Sequence, residues 1–266
     1  MQCGSAIAKT LFDDAGPGGV VALRIVFAAL VLMLLWRPLV RGHSRADWVL
    51  VGLFGITLAG MNLCFYESLS RIPLGIAVTI EFCGPLGVAV AGSRRLLDGL
   101  WVVMAAGGIV LLAEGGGGVA LAGILFALAA AAFWAAYILL SVRAGKAFPG
   151  GSGLALAMVC AAALVLPFGA IESGSDLLVP SVLAAGLGVA LLSSAIPYSL
   201  ELEALRRMPA RVFGIFMSLE PAMAALAGFV ILGESLSARQ VVAIAAVAAA
   251  SAGASLSSRP ETPIDA

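Results

Sequence analysis

Nine uninterrupted apolar stretches follow one another along this chain, near residues 19–36, 47–66, 73–92, 97–113, 119–141, 152–171, 180–202, 210–232 and 238–257. Each runs from one charged or Gly/Pro break to the next. A stretch of about 20 apolar residues, rising 1.5 Å per residue, crosses the hydrocarbon core of a bilayer as a helix. The composition supports this reading, with 62% hydrophobic and 11% charged residues where a soluble domain carries about 25% charged. Mean hydropathy is +1.10. A soluble fold of this size could not remove so much apolar surface from water. These numbers exclude disorder, a collagen-like fold and a secreted disulfide scaffold, and they predict an all-α integral membrane protein.

Ahead of the nine stretches lies an apolar fragment, residues 1–12, about 18 Å long if helical and so too short to cross. It lacks a basic start and a small-residue cleavage site, so it does not read as a signal peptide. It reads as the second half of a tenth helix, left by an upstream start or built as a natural half-helix. With that fragment counted first, the loops alternate in charge. One side receives Arg37, Arg41, Arg45, Arg94, Arg95, Arg143, Lys146, Arg206, Arg207, Arg211 and Arg259. The other receives Asp13, Asp14, Glu114, Glu172, Asp176 and Glu234, with Arg71 and Arg239 as its basic residues. Basic residues collect on the cytoplasmic side, so ten spans place both termini in the cytoplasm. The polar tail, residues 258–266, reads as disordered.

The chain also repeats itself. Glu67, Leu69, Arg71, Pro73 and Pro85 match Glu203, Leu205, Arg207, Pro209 and Pro221, each 136 positions later, and Pro17-Gly18-Gly19 echoes Pro149-Gly150-Gly151. This divides the chain into a first repeat at 1–113 and a second at 119–257. Five spans per repeat is an odd number, so the copies lie in opposite orientations. That layout is characteristic of secondary transporters, with the substrate held at the midplane between the halves. Pro85, Pro197 and Pro221 fall inside spans, where each removes a backbone hydrogen bond and is expected to kink its helix.

Ionisable groups inside spans are costly and mark function by default; here they are Lys9, Arg24, Glu81, Glu201 and Glu220. Glu81 and Glu220 stand beside the matched prolines. Such a carboxylate can carry a proton or bind a substrate ammonium, while Lys9 and Arg24 can pair with it or meet a substrate carboxylate. Glu201, near the cytoplasmic end of its span, reads as reaching water. Asn62 with Tyr66, and Trp134 with Tyr137, share helix faces by their spacing, and Tyr198 joins them as a deep aromatic. Trp36, Trp48 and Trp101 suit the interfacial belt. The four cysteines (Cys3, Cys64, Cys83, Cys160) are scattered through apolar runs, and His43 is the sole histidine. No metal or cofactor site is expected from them, and a zero net charge nominates no nucleic-acid partner.

The polar and proline positions resemble a known family. The run Gly4-Ser5-Ala6-Ile7-Ala8-Lys9, then Ala22-Leu23-Arg24, Gly60-Met61-Asn62 and Phe65-Tyr66 is similar to bacterial threonine/homoserine exporters of the EamA branch of the drug/metabolite transporter superfamily. So are Ile72-Pro73-Leu74-Gly75, Glu81-Phe82, Gly84-Pro85-Leu86, Trp134-Ala135, Ile196-Pro197-Tyr198 and Met217-Ser218-Leu219-Glu220-Pro221. The resemblance runs to about residue 257. It implies a bacterial inner-membrane protein of about ten helices in two inverted EamA repeats. This would export small neutral amino acids by proton antiport and alternating access, without a cofactor. Its partners would be an amino-acid substrate, protons, the lipid bilayer and a second copy of the chain. Lys9, Arg24, Asn62, Tyr66, Glu81, Trp134, Tyr137, Tyr198 and Glu220 are the substrate-binding and coupling candidates. Rival expectations are another EamA substrate, a membrane-embedded enzyme, and a scaffold in which Glu81, Lys9 and Arg24 are all paired in a dry core.

Overall fold

Inside a bilayer every backbone N–H and C=O must find its partner within the protein, and helices achieve this segment by segment. The computed structural model describes residues 1–91, 96–113, 120–207 and 210–257, and it is helical throughout, with no strand among these residues. The helices are α1 (Gln2–Thr10), α2 (Phe12–Trp36), α3 (Arg45–Leu69), α4 (Leu74–Glu81), α5 (Cys83–Ala91), α6 (Leu96–Ala113), α7 (Leu121–Ala147) and α8 (Ser152–Ser173). They continue with α9 (Pro180–Ala190), α10 (Ile196–Arg207), α11 (Ala210–Met217), α12 (Glu220–Leu232) and α13 (Ala238–Ser257). A π-helical turn, Leu191–Ala195, joins α9 to α10. Arg94, Arg95, Glu114, Pro209, Arg259 and the 258–266 tail lie outside the described residues, as do the side chains of Glu203, Leu205, Arg206 and Arg211.

These helices group into ten consecutive elements, with α4–α5, α9–α10 and α11–α12 each forming one. Among the described residues, eight stretches are long and apolar enough to cross a membrane, and Gly99–Leu112 within α6 is apolar but shorter. The first element, α1, has nine residues. Local chemistry sets several boundaries. Ser44 opens α3 with a reciprocal cap: Asp47 N–H donates to its hydroxyl at 3.2 Å and its own N–H donates to the Asp47 carboxylate at 2.8 Å. Within the first turns of α2, Gly16 takes φ +59°, a left-handed conformation that costs glycine no steric penalty.

Each matched proline follows a short interruption of its helix at which the backbone keeps helical angles, φ −62° and ψ −13° at Phe82 and φ −81° and ψ −12° at Leu219. Pro85 is the third residue of α5 and Pro221 the second of α12, so both stand in the first turn of a new helix, where no intrahelical N–H is required. The breaks that precede them are equivalent: α4 ends at Glu81 and α11 ends at Met217, again 136 positions apart. Pro197 likewise sits at the second position of α10, directly after the π-helical turn.

The packing has the symmetry of the repeat. α2 lies along α8, α6 along α13 and α4 against α12; exchanging the two sets of five elements maps each of these pairs onto itself. The same exchange maps the α3–α7 contact onto α9–α1, the α5–α7 and α4–α7 contacts onto α12–α1, and α3–α8 onto α9–α2, and all of these occur. Large apolar side chains such as Leu34, Ile56, Phe168, Ile171 and Phe229 point outward, whereas Arg24, Asn62, Thr79, Glu81, Ser193 and Ser194 are buried. Polar groups inside and apolar groups outside suit a lipid surround.

Close approach between repeats relies on small residues. A Cβ on Gly84 of α5 would strike the backbone carbonyl of Ala131 on α7. Replacing Gly84 by Val is therefore expected to force these helices apart and to destabilise the protein by about 1–3 kcal/mol. The check is a lowered Tm in detergent relative to the parent.

Candidate functional site

The site is organised by a guanidinium in the middle of α2. Arg24 is 5% exposed and has no carboxylate in salt-bridge contact among the described residues. Its Nε donates to Ser194 Oγ at 3.0 Å and one terminal nitrogen donates to the Ser193 carbonyl at 3.2 Å. The other donates to the Tyr66 hydroxyl at 3.1 Å, and the guanidinium lies 5.3 Å from the centre of that ring. The Ser193 carbonyl and Ser194 hydroxyl both belong to the π-helical turn. Its altered register presents a backbone acceptor and a hydroxyl on the side facing α2. Arg24 thus ties the first repeat to the second.

Beside it lies a cavity of about 80 Å³ between the repeats. Arg24, Asn62, Glu81, Trp134, Tyr137, Tyr198 and Glu220 all line it. The breaks between α4 and α5 and between α11 and α12 both face it, through Glu81, Phe82, Met217 and Glu220. Glu81 is 9% exposed and makes no hydrogen bond or ion pair among the described residues. Glu220 accepts a hydrogen bond from the Gln2 side-chain amide. Asn62 donates its amide to the Leu58 carbonyl one turn back, at 2.8 Å. Trp134 stands edge-on to Phe82, ring centres 5.1 Å apart, so the aromatic wall is fixed by packing. The Arg24 guanidinium with the Glu81 and Glu220 carboxylates around one cavity can hold a small zwitterion by both ends.

Two of the sequence candidates lie elsewhere. Tyr66 is fully buried behind Arg24, which it positions. Lys9 is engaged at the opposite end of α1, donating to Glu234 Oε1 at 2.7 Å and to the Ile72 carbonyl at 2.9 Å. The other Glu234 oxygen accepts from Leu74 N–H, the first residue of α4, at 2.9 Å. One carboxylate therefore joins α1, the start of α4 and the segment after α12. Nearby, Gly18 N–H donates to Glu172 at 2.9 Å and Ser173 donates to the Ala15 carbonyl, binding the start of α2 to the end of α8. All these contacts lie on the side of the acidic loops. Glu81, Lys9 and Arg24 are thus not mutually paired in a dry core.

A second cavity, about 320 Å³, opens on the other side, among Leu32, Trp36, Ser141, Gly145, Gly150 and Gly151. The ends of α2 and α7 that it reaches are those next to Arg37, Arg143 and Lys146. Tyr137, Tyr198 and Glu201 line both cavities. The sequence candidates omit Gln2, Ser5 and Glu201, and the apolar lining of Met61, Phe65, Val78 and Met217. Glu201 carried a signal, a carboxylate in an apolar run, that was read as solvation; the adjacent serines 193 and 194 were a second. The apolar lining carried none, because it matches the rest of a membrane helix in composition.

The EamA-like transporter family model matches residues 4–113 and 121–256. The threonine/homoserine exporter RhtA of Salmonella typhimurium (strain SL1344) is 43% identical over 267 residues, 99% of this chain and 90% of that protein. The RhtA of Escherichia coli (strain K12) matches to the same extent. The uncharacterized transporter YwfM of Bacillus subtilis (strain 168) is 26% identical over 85% of this chain and 79% of its own. A protein solved by crystallography shares the fold, with a TM-score of 0.62 at 22% identity over 96% of this chain and 95% of that one.

The Lys9–Glu234 contact is a partly buried pair whose carboxylate also caps α4. Replacing Glu234 with Ala should cost more stability than replacing it with Gln, which retains an acceptor for Leu74 N–H. A double-mutant cycle with Lys9→Met should give a coupling of roughly 0.5–3 kcal/mol, read from thermal unfolding in detergent.

Proposed function

Since the chain belongs to the EamA-like transporter family, we propose that it exports small neutral amino acids of the threonine and homoserine kind, exchanging them for protons by alternating access. The observation that carries this reading is the cavity between the repeats, with Arg24 in its wall beside Glu81, a carboxylate that makes no hydrogen bond or ion pair among the described residues. A neutral amino acid at physiological pH is a zwitterion. Its carboxylate suits Arg24, whose planar donor fork matches carboxylate geometry, and its ammonium suits Glu81 and Glu220. Asn62, Tyr137 and Tyr198 offer polar partners for a side-chain hydroxyl, and Trp134 and Phe82 bound the volume. Tyr66, behind Arg24, holds the guanidinium in place.

Coupling follows from competition for the same carboxylates. Protonated, Glu81 or Glu220 loses its attraction for the ammonium and releases the substrate; ionised, it binds substrate again. The two conformations follow from the repeat symmetry. The cavity shares Tyr137, Tyr198 and Glu201 with the vestibule beside the basic loops, which is the cytoplasmic side by charge, while Lys9–Glu234 and Glu172–Gly18 hold the far side together. Opening to the outside requires that these contacts part and that the helices around the vestibule close. Alternating access of this kind is a rocking of one repeat against the other about a fixed midplane site. In this reading the protein works in the bacterial inner membrane with both termini in the cytoplasm, and a second copy is not required to complete the cavity.

Proteoliposomes loaded with labelled threonine or homoserine should release them faster when an inward proton gradient is imposed. Glu81→Gln keeps the shape of the side chain and removes its ionisation. That variant should lose gradient-driven efflux while retaining the parent's elution profile and Tm. Undiminished gradient-driven efflux by the variant would overturn the assignment of Glu81. No efflux from correctly folded parent protein would overturn the choice of substrate.

A further inference from the structure

Tyr137, Tyr198 and Glu201 line both cavities, and the region they share is the neck between the two. Tyr198 and Glu201 are three residues apart on α10 and so present neighbouring side chains; Tyr137 reaches them from α7. Glu201 makes no hydrogen bond or ion pair among the described residues. The central carboxylates, Glu81 on α4 and Glu220 on α12, line the inner cavity but not the vestibule. Tyr137, Tyr198 and Glu201 are the groups common to both linings, so a proton handed from the inner cavity to the vestibule through side chains meets them. Of the three groups there, the carboxylate ionises most readily near neutral pH, since an unperturbed tyrosine does so at about pH 10.

We infer that Glu201 is the relay through which the central carboxylates release their proton to the vestibule, a role that rests on the antiport reading above. The titratable and charged groups around it are Tyr137 of α7, Tyr198 of α10, Glu220 of α12, Glu81 of α4, Arg24 of α2 and the amino group of Met1 ahead of α1. The step conserves charge: a protonated Glu81 or Glu220 becomes a carboxylate, the Glu201 carboxylate takes the proton, and it then passes that proton to water in the vestibule. No bond to the substrate forms or breaks. Relay and substrate binding are separate demands, because Glu201 stands at the passage while Arg24 and Glu81 stand at the site. Removing the relay therefore slows net, proton-coupled transport without preventing the substrate from binding and crossing.

Two assays on the full chain in proteoliposomes separate these effects. Net efflux of labelled threonine under an imposed pH gradient requires the proton to leave; exchange of labelled for unlabelled threonine at equal pH moves no net proton. Glu201→Gln is expected to slow gradient-driven efflux by about tenfold or more and to flatten its dependence on the pH of the vestibule side. Exchange should stay within about twofold of the parent, and Glu201→Asp should recover part of the net rate. A variant that matches the parent in both assays overturns the relay and leaves Glu201 a solvated carboxylate. Equal loss in both assays overturns it in favour of a substrate contact. Parent efflux that is indifferent to the gradient overturns the antiport reading and the relay with it.

Discussion

A guanidinium halfway along a membrane helix imposes a condition that the surrounding structure must meet. Arg24 costs about 3 kcal/mol to insert even on permissive scales, and it meets no carboxylate in salt-bridge contact among the described residues. It is held by neutral acceptors, the Ser193 carbonyl, Ser194 hydroxyl and Tyr66 hydroxyl. A regular α-helix has its carbonyls committed to its own ladder, so such an acceptor is supplied where the ladder changes register. The π-helical turn at Leu191–Ala195 is such a place. It fixes α9 and α10 against α2, and with them the position of Tyr198 and Glu201. Because Arg24 is occupied by neutral partners, Glu81 is left among the described residues as a carboxylate without a hydrogen bond or ion pair, facing the same cavity.

The repeat places its irregularities where they are of use. Both halves break their fourth element at the same repeat position, after Glu81 and after Met217, and both breaks open onto the cavity. Non-helical backbone at membrane depth is tolerated where it is buried in protein or lines a cavity. The acidic side chains also divide by depth. Glu81 and Glu220 stand at the breaks, Glu201 at the neck, and Glu172 and Glu234 bind helix starts on the acidic-loop side. A carboxylate at a helix N-terminus satisfies N–H groups that have no intrahelical partner, and Glu234 does so while holding Lys9.

Much of the fold was legible in the linear chain because lipid is a simple solvent. It demands a set length and composition from each span, and the positions of the apolar runs agree with the helices to within a few residues for α3, α6, α8 and α13. The five-plus-five division was legible through Pro73, Pro85 and their partners, since a duplicated proline marks a duplicated break. The prolines themselves were harder to interpret. A proline in an apolar run marks where a backbone hydrogen bond is missing, and only the structure shows the helix interrupted there with Phe82 still at helical angles.

The sequence by itself determined that the chain is a helical membrane protein of two repeats and that its ionisable residues are few. Those facts follow from composition, run length and spacing, which lipid enforces locally. Tertiary structure decided the partners of those residues. Lys9 and Arg24 have equal standing as buried cations in the linear chain. Only the packing sends Lys9 to Glu234, 225 positions away, and leaves Arg24 beside the cavity. Likewise Glu201 is one carboxylate among several until α7 and α10 meet to form the neck. A local pattern shows that a charge is present in the membrane; which group it faces depends on elements distant in sequence, and that information exists only after the helices have packed.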